Sequence, residues 1–409
     1  RFRQMPEGWR SSKWGNEVTL QYGKAIRGYQ NAKGRYRVFG SNGPVGWHTE
    51  ALASGPGVIL GRKGAYRGVR YSRVPFFVID TAYYIQPKTD IDMRWLYYAV
   101  IHHRLGEIDD GSPIPSTTRA AVYVRDVEVP PLCEQEAIAE LLGSLDDKIE
   151  LNRRMNETLE AMAQTIFRDW FVDFGPIRRK LDGETDPVEI MGGLVADPDR
   201  ARELAALFPV KLGDDGLPEG WLIGKVGDII DIFDSKRIPL SAREREARKG
   251  PYPYHGATGI MDYVDNYLFD EPLLLLGEDG SVAQSDGFPY TQYVWEKIWV
   301  NNHAHVLRGS GISTEQLKLF FDQTYIIPFV TGAVQPKLNQ RNLTAIPFLR
   351  AGGKVHKAFD DFIEPIFAVV RARTEETRTL AATRDLLLPK LMSGEIRLRD
   401  AERAIEAVA

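Results

Sequence analysis

The stretch 133–174 constrains the fold most, because it carries an unbroken heptad pattern. Steps of four and three residues from Ile138 meet apolar side chains at every position except two asparagines. The series is Ile138, Leu142, Leu145, Ile149, Asn152, Asn156, Leu159, Ala163, Ile166 and Trp170. Charged residues flank these positions, so the pattern predicts a long helix whose narrow apolar stripe packs against one other helix.

The chain supplies a candidate partner helix, since the pattern returns at an offset of 221 residues, from Ile138 to Phe359. The second series is Phe359, Ile363, Ile366, Val370, Arg373, Thr377, Leu380, Arg384, Leu387 and Leu391. If the two helices run antiparallel, Asn152 and Asn156 face Arg373 and Thr377 in a central polar layer, which would fix the register. The alternative is two amphipathic helices, each packed only on its own domain.

Two prolines qualify the second helix. Pro365 and Pro389 lie within or near the heptad stretch, and proline inside a helix removes a hydrogen bond and usually kinks or ends it. We therefore expect a continuous second helix only from about residue 366 to about residue 388.

Other short motifs repeat at similar offsets, which indicates that the chain contains two copies of one structural unit. Met-Pro-Glu-Gly-Trp at 5–9 returns as Leu-Pro-Glu-Gly-Trp at 217–221, and Gly-Arg-Lys-Gly at 61–64 matches Gly-Glu-Asp-Gly at 277–280. β-Branched and aromatic runs alternate with glycine-rich turns in both copies, and one short helix is expected in each, at 95–102 and 315–322. The predicted fold class is α+β: two tandem, mostly-β domains, each followed by a long helix, with the helices in an antiparallel coiled coil of pseudo-twofold symmetry.

The predicted boundaries follow from these repeats. They are a first mostly-β domain at 1–132, a first long helix at 133–174, a connector at 175–216 with one helix at 199–207, a second mostly-β domain at 217–354, and a second long helix with the C-terminal segment at 355–398. A chain of 409 residues exceeds one hydrophobic core, which agrees with several domains.

Composition limits the environment and the partners. The single cysteine, Cys133, excludes an internal disulfide and fits a reducing cytoplasm, and no apolar run is long enough to span a membrane. Residues 1–132 hold 19 Lys and Arg against 11 Asp and Glu, a balance of +8, whereas residues 217–350 hold 13 against 16, a balance of −3. By charge alone, the first domain is a plausible DNA-binding module.

No catalytic constellation is evident. The chain has no phosphate-binding loop of the Walker type, no clustered carboxylates with a lysine, and no cysteine–histidine spacing typical of zinc. His303 and His305 lie on one face of a predicted strand, but a metal site there is the less favoured interpretation. We expect no metal and no cofactor in this chain.

The candidate binding residues are basic and polar side chains set among tyrosines and glycines. Such side chains suit contacts with phosphates and base edges, and Arg62 or Arg67 could each hold a guanine by two hydrogen bonds. The candidates in the first domain are Lys24, Arg27, Lys33, Arg35, Arg37, Arg62, Lys63, Arg67 and Arg70, with Thr117 and Arg119 in the loop 111–119. Those in the second domain are Lys236, Arg237, Arg243 and His255, with Lys337, Asn339 and Arg341 in and beside the loop 331–340.

The chain resembles the specificity subunit of Type I restriction–modification systems. The phrases that carry the resemblance are Pro-Glu-Gly-Trp opening each half, Val-Pro-Pro-Leu-Cys-Glu-Gln-Glu at 129–136, Phe-Arg-Asp-Trp-Phe-Val-Asp-Phe at 167–174, and Leu-Leu-Leu-Pro-Lys-Leu-Met-Ser-Gly-Glu-Ile at 386–396. The resemblance implies a non-catalytic subunit that reads a bipartite, asymmetric site in double-stranded DNA. It also implies that the paired helices hold two methyltransferase subunits, which restriction–translocase subunits join. S-adenosylmethionine, ATP and Mg would belong to those partners.

Two other hypotheses stay open on the sequence. The chain could be a stand-alone scaffold whose repeated domains bind protein, or a fragment of a fused restriction–methylation enzyme. A steep salt dependence of DNA binding would separate DNA recognition from the scaffold.

Overall fold

A computed structural model of the chain describes residues 6–30, 33–109, 111, 113–332 and 334–406. Met5, the first residue of the repeated Met-Pro-Glu-Gly-Trp phrase, lies outside the described residues. The chain divides into two compact units: unit 1 comprises Arg1–Arg153 and Glu375–Ala409, and unit 2 comprises Arg154–Thr374. The two long helices each contribute one half to each unit.

The first repeat contains short strands, short helices and one long helix. Its strands are β1 (Arg10–Lys13), β2 (Val18–Tyr22), β3 (Tyr36–Gly40), β4 (Gly43–His48), β5 (Gly57–Gly61), β6 (Val69–Ser72), β7 (Phe76–Val78), β8 (Ala82–Pro87) and β9 (Asp126–Val129). Its helices are α1 (Trp14–Glu17), α2 (Met93–His102), α3 (Arg119–Tyr123) and α4 (Leu132–Phe171).

The connector and the second repeat follow. The helices are α5 (Gly175–Leu181), α6 (Pro187–Ile190), α7 (Pro198–Ala205), α8 (Ala242–Ala247), α9 (Thr314–Phe321), α10 (Gln340–Thr344), α11 (Gly353–Met392) and α12 (Leu398–Glu406). The strands are β10 (Leu222–Lys225), β11 (Ile230–Ile232), β12 (Lys249–His255), β13 (Ile260–Val264), β14 (Phe269–Asp270), β15 (Leu273–Gly277), β16 (Thr291–Val294), β17 (Lys297–Val300), β18 (Ala304–Gly309) and β19 (Pro347–Arg350).

Sheet topology confirms the duplication. A four-stranded antiparallel sheet has the order β2-β8-β5-β6 in the first repeat and β11-β18-β15-β16 in the second. A second sheet has the order β4-β3-β7 in the first and β13-β12-β17-β14 in the second, with β3–β7 and β12–β17 parallel. Each repeat closes on a two-stranded ribbon, β1–β9 or β10–β19, next to its long helix. The fold class is therefore α+β with two tandem domains, as predicted.

The two long helices pack against each other in antiparallel directions within each unit. In unit 1, Arg384 Nη1 donates to Asp146 Oδ1 at 2.6 Å, and further along α4 Lys148 Nζ lies 3.3 Å from Glu376 Oε1. In unit 2, the Phe167 and Trp170 rings of α4 lie 5.7 and 5.4 Å from the Phe359 ring of α11. Partner numbers fall along α11 as they rise along α4, so the predicted antiparallel pairing is confirmed.

Most heptad positions are in the helix–helix core. The buried ones include Ile138, Leu142, Leu145, Ile149, Asn152, Ala163, Ile166, Trp170, Phe359, Ile363, Val370, Leu380, Leu387 and Leu391. Asn156, Leu159, Ile366, Arg373, Thr377 and Arg384 are half-buried.

The central polar layer differs from the predicted pairing by one residue. In unit 1, Asn152 Nδ2 donates to Glu376 Oε2 at 2.7 Å. In unit 2, Asn156 Nδ2 donates to Thr374 Oγ1 at 3.0 Å and to the Val370 carbonyl at 3.1 Å. Glu376 and Thr374 are the sequence neighbours of the predicted Thr377 and Arg373. The heptad pattern predicts which face of the helix lies in the interface, but it does not predict which side chains there form the hydrogen bonds.

Two expectations about helices were wrong. Helix α11 continues through both Pro365 and Pro389; both are exposed, and water can bond a carbonyl that lacks its N–H partner. The connector has three helices instead of one, and buried side chains of the connector (Ile177, Ile190, Met191, Leu204 and Phe208) share a core with α4 and α11 in unit 2.

The short helices predicted at 95–102 and 315–322 are α2 and α9, and polar contacts fix each of them to the long helices. In unit 1, the Tyr98 hydroxyl donates to Asp146 Oδ2 at 2.6 Å, and Arg94 Nη1 donates to Asp147 Oδ2 at 3.1 Å. In unit 2, Lys318 Nζ donates to Glu160 Oε2 at 2.9 Å. The same function of fixing the helix is thus performed by different side chains in the two repeats.

Asp360 on α11 predicts a pH dependence of stability. Its carboxylate accepts the Ser313 N–H at 3.0 Å and the Ser313 hydroxyl at 2.6 Å. Burial raises the pKa of Asp360 to about 6, although the Ser313 hydrogen bonds act in the opposite direction. A raised pKa favours the folded state most below the unfolded value near 3.8, and this contribution is lost as pH rises through about 6.

We expect Asp360→Asn to be more stable than the wild type by about 1 kcal/mol near pH 8, a value discounted for partial exposure, with little difference near pH 4. Urea unfolding across this pH range measures the difference. Asp361→Asn, at the exposed neighbouring position, is the control and should show no such gain. Parallel stability curves for wild type and Asp360→Asn would contradict the assignment.

Candidate nucleic-acid interface

In unit 1, two loops contact each other at the end of the β2-β8-β5-β6 sheet, and we call them the bridged loop pair. The loop after β5 (61–68) forms an antiparallel bridge between Lys63 and Ser116 of the loop before α3. The Gly64 N–H donates to the Pro115 carbonyl at 3.0 Å, and the Thr117 N–H donates to the Arg62 carbonyl at 2.9 Å. The main chain therefore fixes the two loops to each other.

Unit 2 contains the same bridged loop pair. Asp279 of the loop after β15 bridges Lys337 of the loop before α10. The Gly280 N–H donates to the Pro336 carbonyl at 3.0 Å, and the Leu338 N–H donates to the Glu278 carbonyl at 2.8 Å. The motif match between 61–64 and 277–280 is thus also a match in hydrogen bonding.

A cluster of tyrosines and arginines supports the loop pair of unit 1. The Tyr22 side chain, 47% exposed, lies between two guanidinium groups, with its ring centre 5.0 Å from Arg62 Cζ and 4.1 Å from Arg119 Cζ. Arg119 Nε is fixed by the Leu20 carbonyl at 2.7 Å. The Tyr83 ring lies 5.1 Å from Tyr22, and burial raises the pKa of Tyr83 to about 12. The cluster presents cationic and aromatic surfaces together, which suits stacking on bases or contact with phosphates.

The equivalent positions of unit 2 carry carboxylates and a histidine instead. Leu20 pairs with Ile85 as Ile232 pairs with Leu307, so Asp234 is the counterpart of Tyr22. Leu60 pairs with Tyr83 as Leu276 pairs with His305, so His305 is the counterpart of Tyr83.

The buried carboxylate of Asp234 is held by several donors. His305 Nδ1 lies 2.6 Å from Asp234 Oδ2, and Gln340 Nε2 donates to the same oxygen at 2.7 Å. Burial raises the pKa of Asp234, but the hydrogen bonds from His305, Gln340 and the Val306 N–H, with the His305 charge, bring it below its usual value.

Asp234, Glu278 and His305 also have the donor set of a cation site, since their ligand atoms lie within 4.8 Å of one another. Arg237 already supplies positive charge there, because its Nη1 lies 2.6 Å from Glu278 Oε2 and its Nη2 lies 3.6 Å from Asp234 Oδ2. The cluster is therefore an internal ion-pair network. His303 lies outside it and contacts Asp279 Oδ1 at 2.5 Å.

Two candidates in unit 1 have a structural role. All three kinds of Arg67 nitrogen donate to carbonyls: Nε to Gly106 at 3.0 Å, Nη1 to Gly64 at 2.7 Å and Nη2 to Ile108 at 3.1 Å. Arg67 therefore fixes the loop through three of its N–H groups, and its contact with a guanine stays a prediction. Thr117 is fully buried, and its hydroxyl lies 3.2 Å from the Ile108 carbonyl.

Three candidates in unit 2 are likewise engaged within the protein. Arg237 binds Glu278 and the Ala304 carbonyl, at 2.6 and 2.7 Å. His255 is buried with its Nδ1 2.8 Å from Gln292 Oε1. Asn339 caps α10 by accepting the Asn342 N–H at 2.9 Å. These residues hold the local structure, although the capping bond of Asn339 uses its side-chain oxygen and not its amide N–H groups.

The other candidates are accessible at the surface. Arg37 is half-buried with its guanidinium 4.6 Å from the centre of the Trp47 ring, and Arg70 donates to the Asn42 carbonyl at 3.1 Å while staying exposed. Among the candidates, the exposed cations are Lys24, Arg27, Lys33, Arg35, Lys63 and Arg70 in unit 1, and Lys236, Arg243, Lys337 and Arg341 in unit 2.

The sequence interpretation missed Ser116 and Trp47. Ser116, opposite Lys63, is the counterpart of Lys337 at the same offset of 221 residues that relates the long helices, so that offset would have identified it. Trp47 alternates with less exposed residues in β4 and is 42% exposed, an unusual exposure for so large a side chain.

Comparison with known proteins agrees with the duplication. The family described as Type I restriction modification DNA specificity domain matches twice, at residues 14–161 and 218–363. The Type I restriction enzyme MjaIX specificity subunit of Methanocaldococcus jannaschii is 24% identical over 77% of this chain and 72% of its own length. The Type I restriction enzyme HindI specificity subunit of Haemophilus influenzae is 24% identical over 78% of this chain and 81% of its own.

A solved structure shows the same fold. The S subunit of a Type-I restriction–modification system from M. genitalium is 15% identical, covers 94% of this chain and 96% of its own, and has a TM-score of 0.57. In the described part of the chain, no helix has the length and apolar character needed to cross a membrane. Since the family matches in two copies that span well over half of the sequence, this chain belongs to the Type I restriction modification DNA specificity family, as a non-catalytic specificity subunit.

Proposed function

We propose that the two repeats read the two parts of a bipartite, asymmetric site in double-stranded DNA. The observation that carries this proposal is that the bridged loop pair occurs in both units but rests on different chemistry. The cluster below it contains Tyr22, Arg62 and Arg119 in unit 1, and Asp234 and His305 in unit 2. Two domains that share a backbone framework but differ in their side chains select different base sequences, so the combined DNA site is asymmetric.

We further propose that α4 and α11 form the docking surface for two methyltransferase subunits, and that restriction–translocase subunits join that assembly. Apolar side chains exposed on the long helices support this. Leu151 and Leu386 are exposed on the helices of unit 1, and Met162 and Val369 on those of unit 2. Such side chains offer apolar surface on both helices that a partner subunit could cover.

The chemistry of the complex belongs to those partners in this proposal. S-adenosylmethionine, ATP and Mg would bind in the partner subunits, and this chain would supply position and DNA sequence. The exposed free thiol of Cys133 supports a reducing, cytoplasmic location.

The test is the salt dependence of DNA binding by the full-length chain. Duplexes of random sequence should bind with an affinity whose logarithm falls steeply with the logarithm of salt concentration, with a slope of about −0.9 for each phosphate contacted. The alternative function, a scaffold for proteins, predicts a flat response. Selection of duplexes from a random pool by the assembled complex should then return two separate, unlike sequence blocks; recovery of one continuous block or a palindrome would contradict the bipartite, asymmetric site.

A further inference from the structure

The bridged loop pairs of the two units carry their charges on opposite loops. In unit 1 the bridged residues are Lys63 on the first loop and Ser116 on the second. In unit 2 they are Asp279 on the first loop and Lys337 on the second. The lysine is present in both units but has changed sides of the bridge.

Because of the geometry of the bridge, a lysine on either loop projects its side chain to the same face of the loop pair. Residues directly opposite each other in an antiparallel bridge project their side chains to the same side, with Cβ atoms about 4.5–5.5 Å apart. The backbone hydrogen bonds beside the bridge are the same in both units, at 3.0 Å from Gly64 and from Gly280, and at 2.9 and 2.8 Å from Thr117 and Leu338. A lysine on either loop therefore presents its ammonium group over the same face of the loop pair.

The acidic residues of the second loop pair are engaged mainly by other groups. Asp279 is paired with His303 at 2.5 Å and its side chain is only 18% exposed. Glu278 is bound to Arg237 at 2.6 Å, and Lys337 Nζ lies 3.5 Å from its other oxygen. Lys337 keeps 49% of its side chain exposed, so the group that unit 2 offers to an anion at this position is an ammonium.

Both loop pairs also leave room for a ligand to approach the main chain. Gly64 and Gly280 follow the first bridged residue with φ values of 106° and 73°, and a Cβ built on either would meet nothing within 4 Å. A phosphate can therefore come close to the main chain next to the lysine. In unit 1, Lys63 is further held at its backbone, whose N–H donates to Ser41 Oγ at 3.0 Å.

We propose that Lys63 and Lys337 are equivalent phosphate-binding residues, one in each unit, and that the bridged loop pair is the element by which each unit grips the DNA backbone. The proposal rests on the DNA-reading function proposed above. It adds a division of labour: the bridge lysine fixes the position of the duplex, and other exposed side chains around each loop pair read the sequence.

The experiment transposes the lysine across the bridge in the full-length chain. Lys63→Ser and Lys337→Ser should each reduce the slope of log affinity against log salt by about 0.9, with the same weakening on all random-sequence duplexes. The doubles Lys63→Ser/Ser116→Lys and Lys337→Ser/Asp279→Lys should recover the wild-type slope, because the ammonium returns to the same face from the other loop. Lys354→Ser, at the exposed start of α11, is the control and should leave the slope unchanged.

The outcomes separate this proposal from the proposed function. A steep slope in the wild type that persists in both single variants overturns the role of the bridge lysines while leaving DNA binding in place. Single variants that lose slope, with doubles of wild-type thermal stability that do not recover it, overturn the equivalence of the two positions. A flat slope in the wild type overturns the proposed function itself.

Discussion

Trp170→Ala should destabilise unit 2 by about 3–5 kcal/mol, the range typical of truncating a fully buried aromatic side chain. The Trp170 side chain is completely buried on α4, with its ring 5.0 Å from the Phe208 ring and 5.4 Å from the Phe359 ring. Truncation therefore removes contacts with both the connector and α11 and leaves a cavity that rigid aromatic neighbours fill poorly. Urea-induced unfolding followed by circular dichroism measures the loss.

Met162→Ala is the matched control for Trp170→Ala. Met162 is on the same helix and in the same unit, but half of its side chain is already exposed, so its truncation should change the free energy of unfolding by less than about 0.5 kcal/mol. Equal losses in the two variants would show that Trp170 does not anchor the aromatic core.

Arg371→Met should cost about 3 kcal/mol, because it removes the positive member of an ion pair that joins α11 to the second domain. Arg371 Nη1 donates to Glu315 Oε1 at 2.8 Å and to the Tyr293 hydroxyl oxygen at 2.7 Å, and that hydroxyl donates to Glu315 at 2.5 Å. The Glu315 side chain is only 12% exposed, so without the guanidinium its charge is left in a poorly solvated position. The free energy of unfolding in urea is again the measurement.

A double-mutant cycle tests the origin of the Arg371 effect. Arg371→Met/Glu315→Gln removes the stranded charge, so the double variant should be more stable than Arg371→Met alone, with a coupling energy of about 1–3 kcal/mol. Lys357→Met breaks a surface pair with Asp361, whose side chains are 76% and 51% exposed, and should cost less than about 0.5 kcal/mol. Additive losses in the cycle would mean that Arg371 acts through packing instead of charge.

The architecture was predictable because it depends on a periodic pattern of apolar residues in the sequence. The heptad from Ile138 to Trp170 is a property of one helix face, and its return at Phe359 gave the partner without any knowledge of tertiary contacts. The local rule for proline failed at Pro365 because the cost of a proline depends on what its missing N–H leaves behind. At an exposed position, water can satisfy the orphaned carbonyl, and the sequence pattern does not report on which side of the helix that carbonyl lies.

The candidate interface was predictable in composition but not residue by residue. Exposed cations such as Lys63 and Lys337 were identified from charge among glycines. Arg67, Arg237 and Asn339 look the same in the sequence, yet carbonyls, carboxylates and helix N–H groups brought from distant positions already occupy their donors or acceptors. A sequence shows which groups can bind phosphate; only the fold shows which of them are already bonded.

The exchange of Tyr22 and Tyr83 for Asp234 and His305 bears on how new specificities can be engineered. The members of each set satisfy one another. The Tyr22 ring lies against two arginines, and the Asp234 carboxylate accepts hydrogen bonds from the His305 imidazole and the Gln340 amide. Transferring one member alone would leave a buried charge without its hydrogen-bond partners, or an aromatic ring without its arginine. Recoding such a reader will therefore succeed when the whole set moves as a cassette, and stepwise replacement will pass through intermediates that fold poorly.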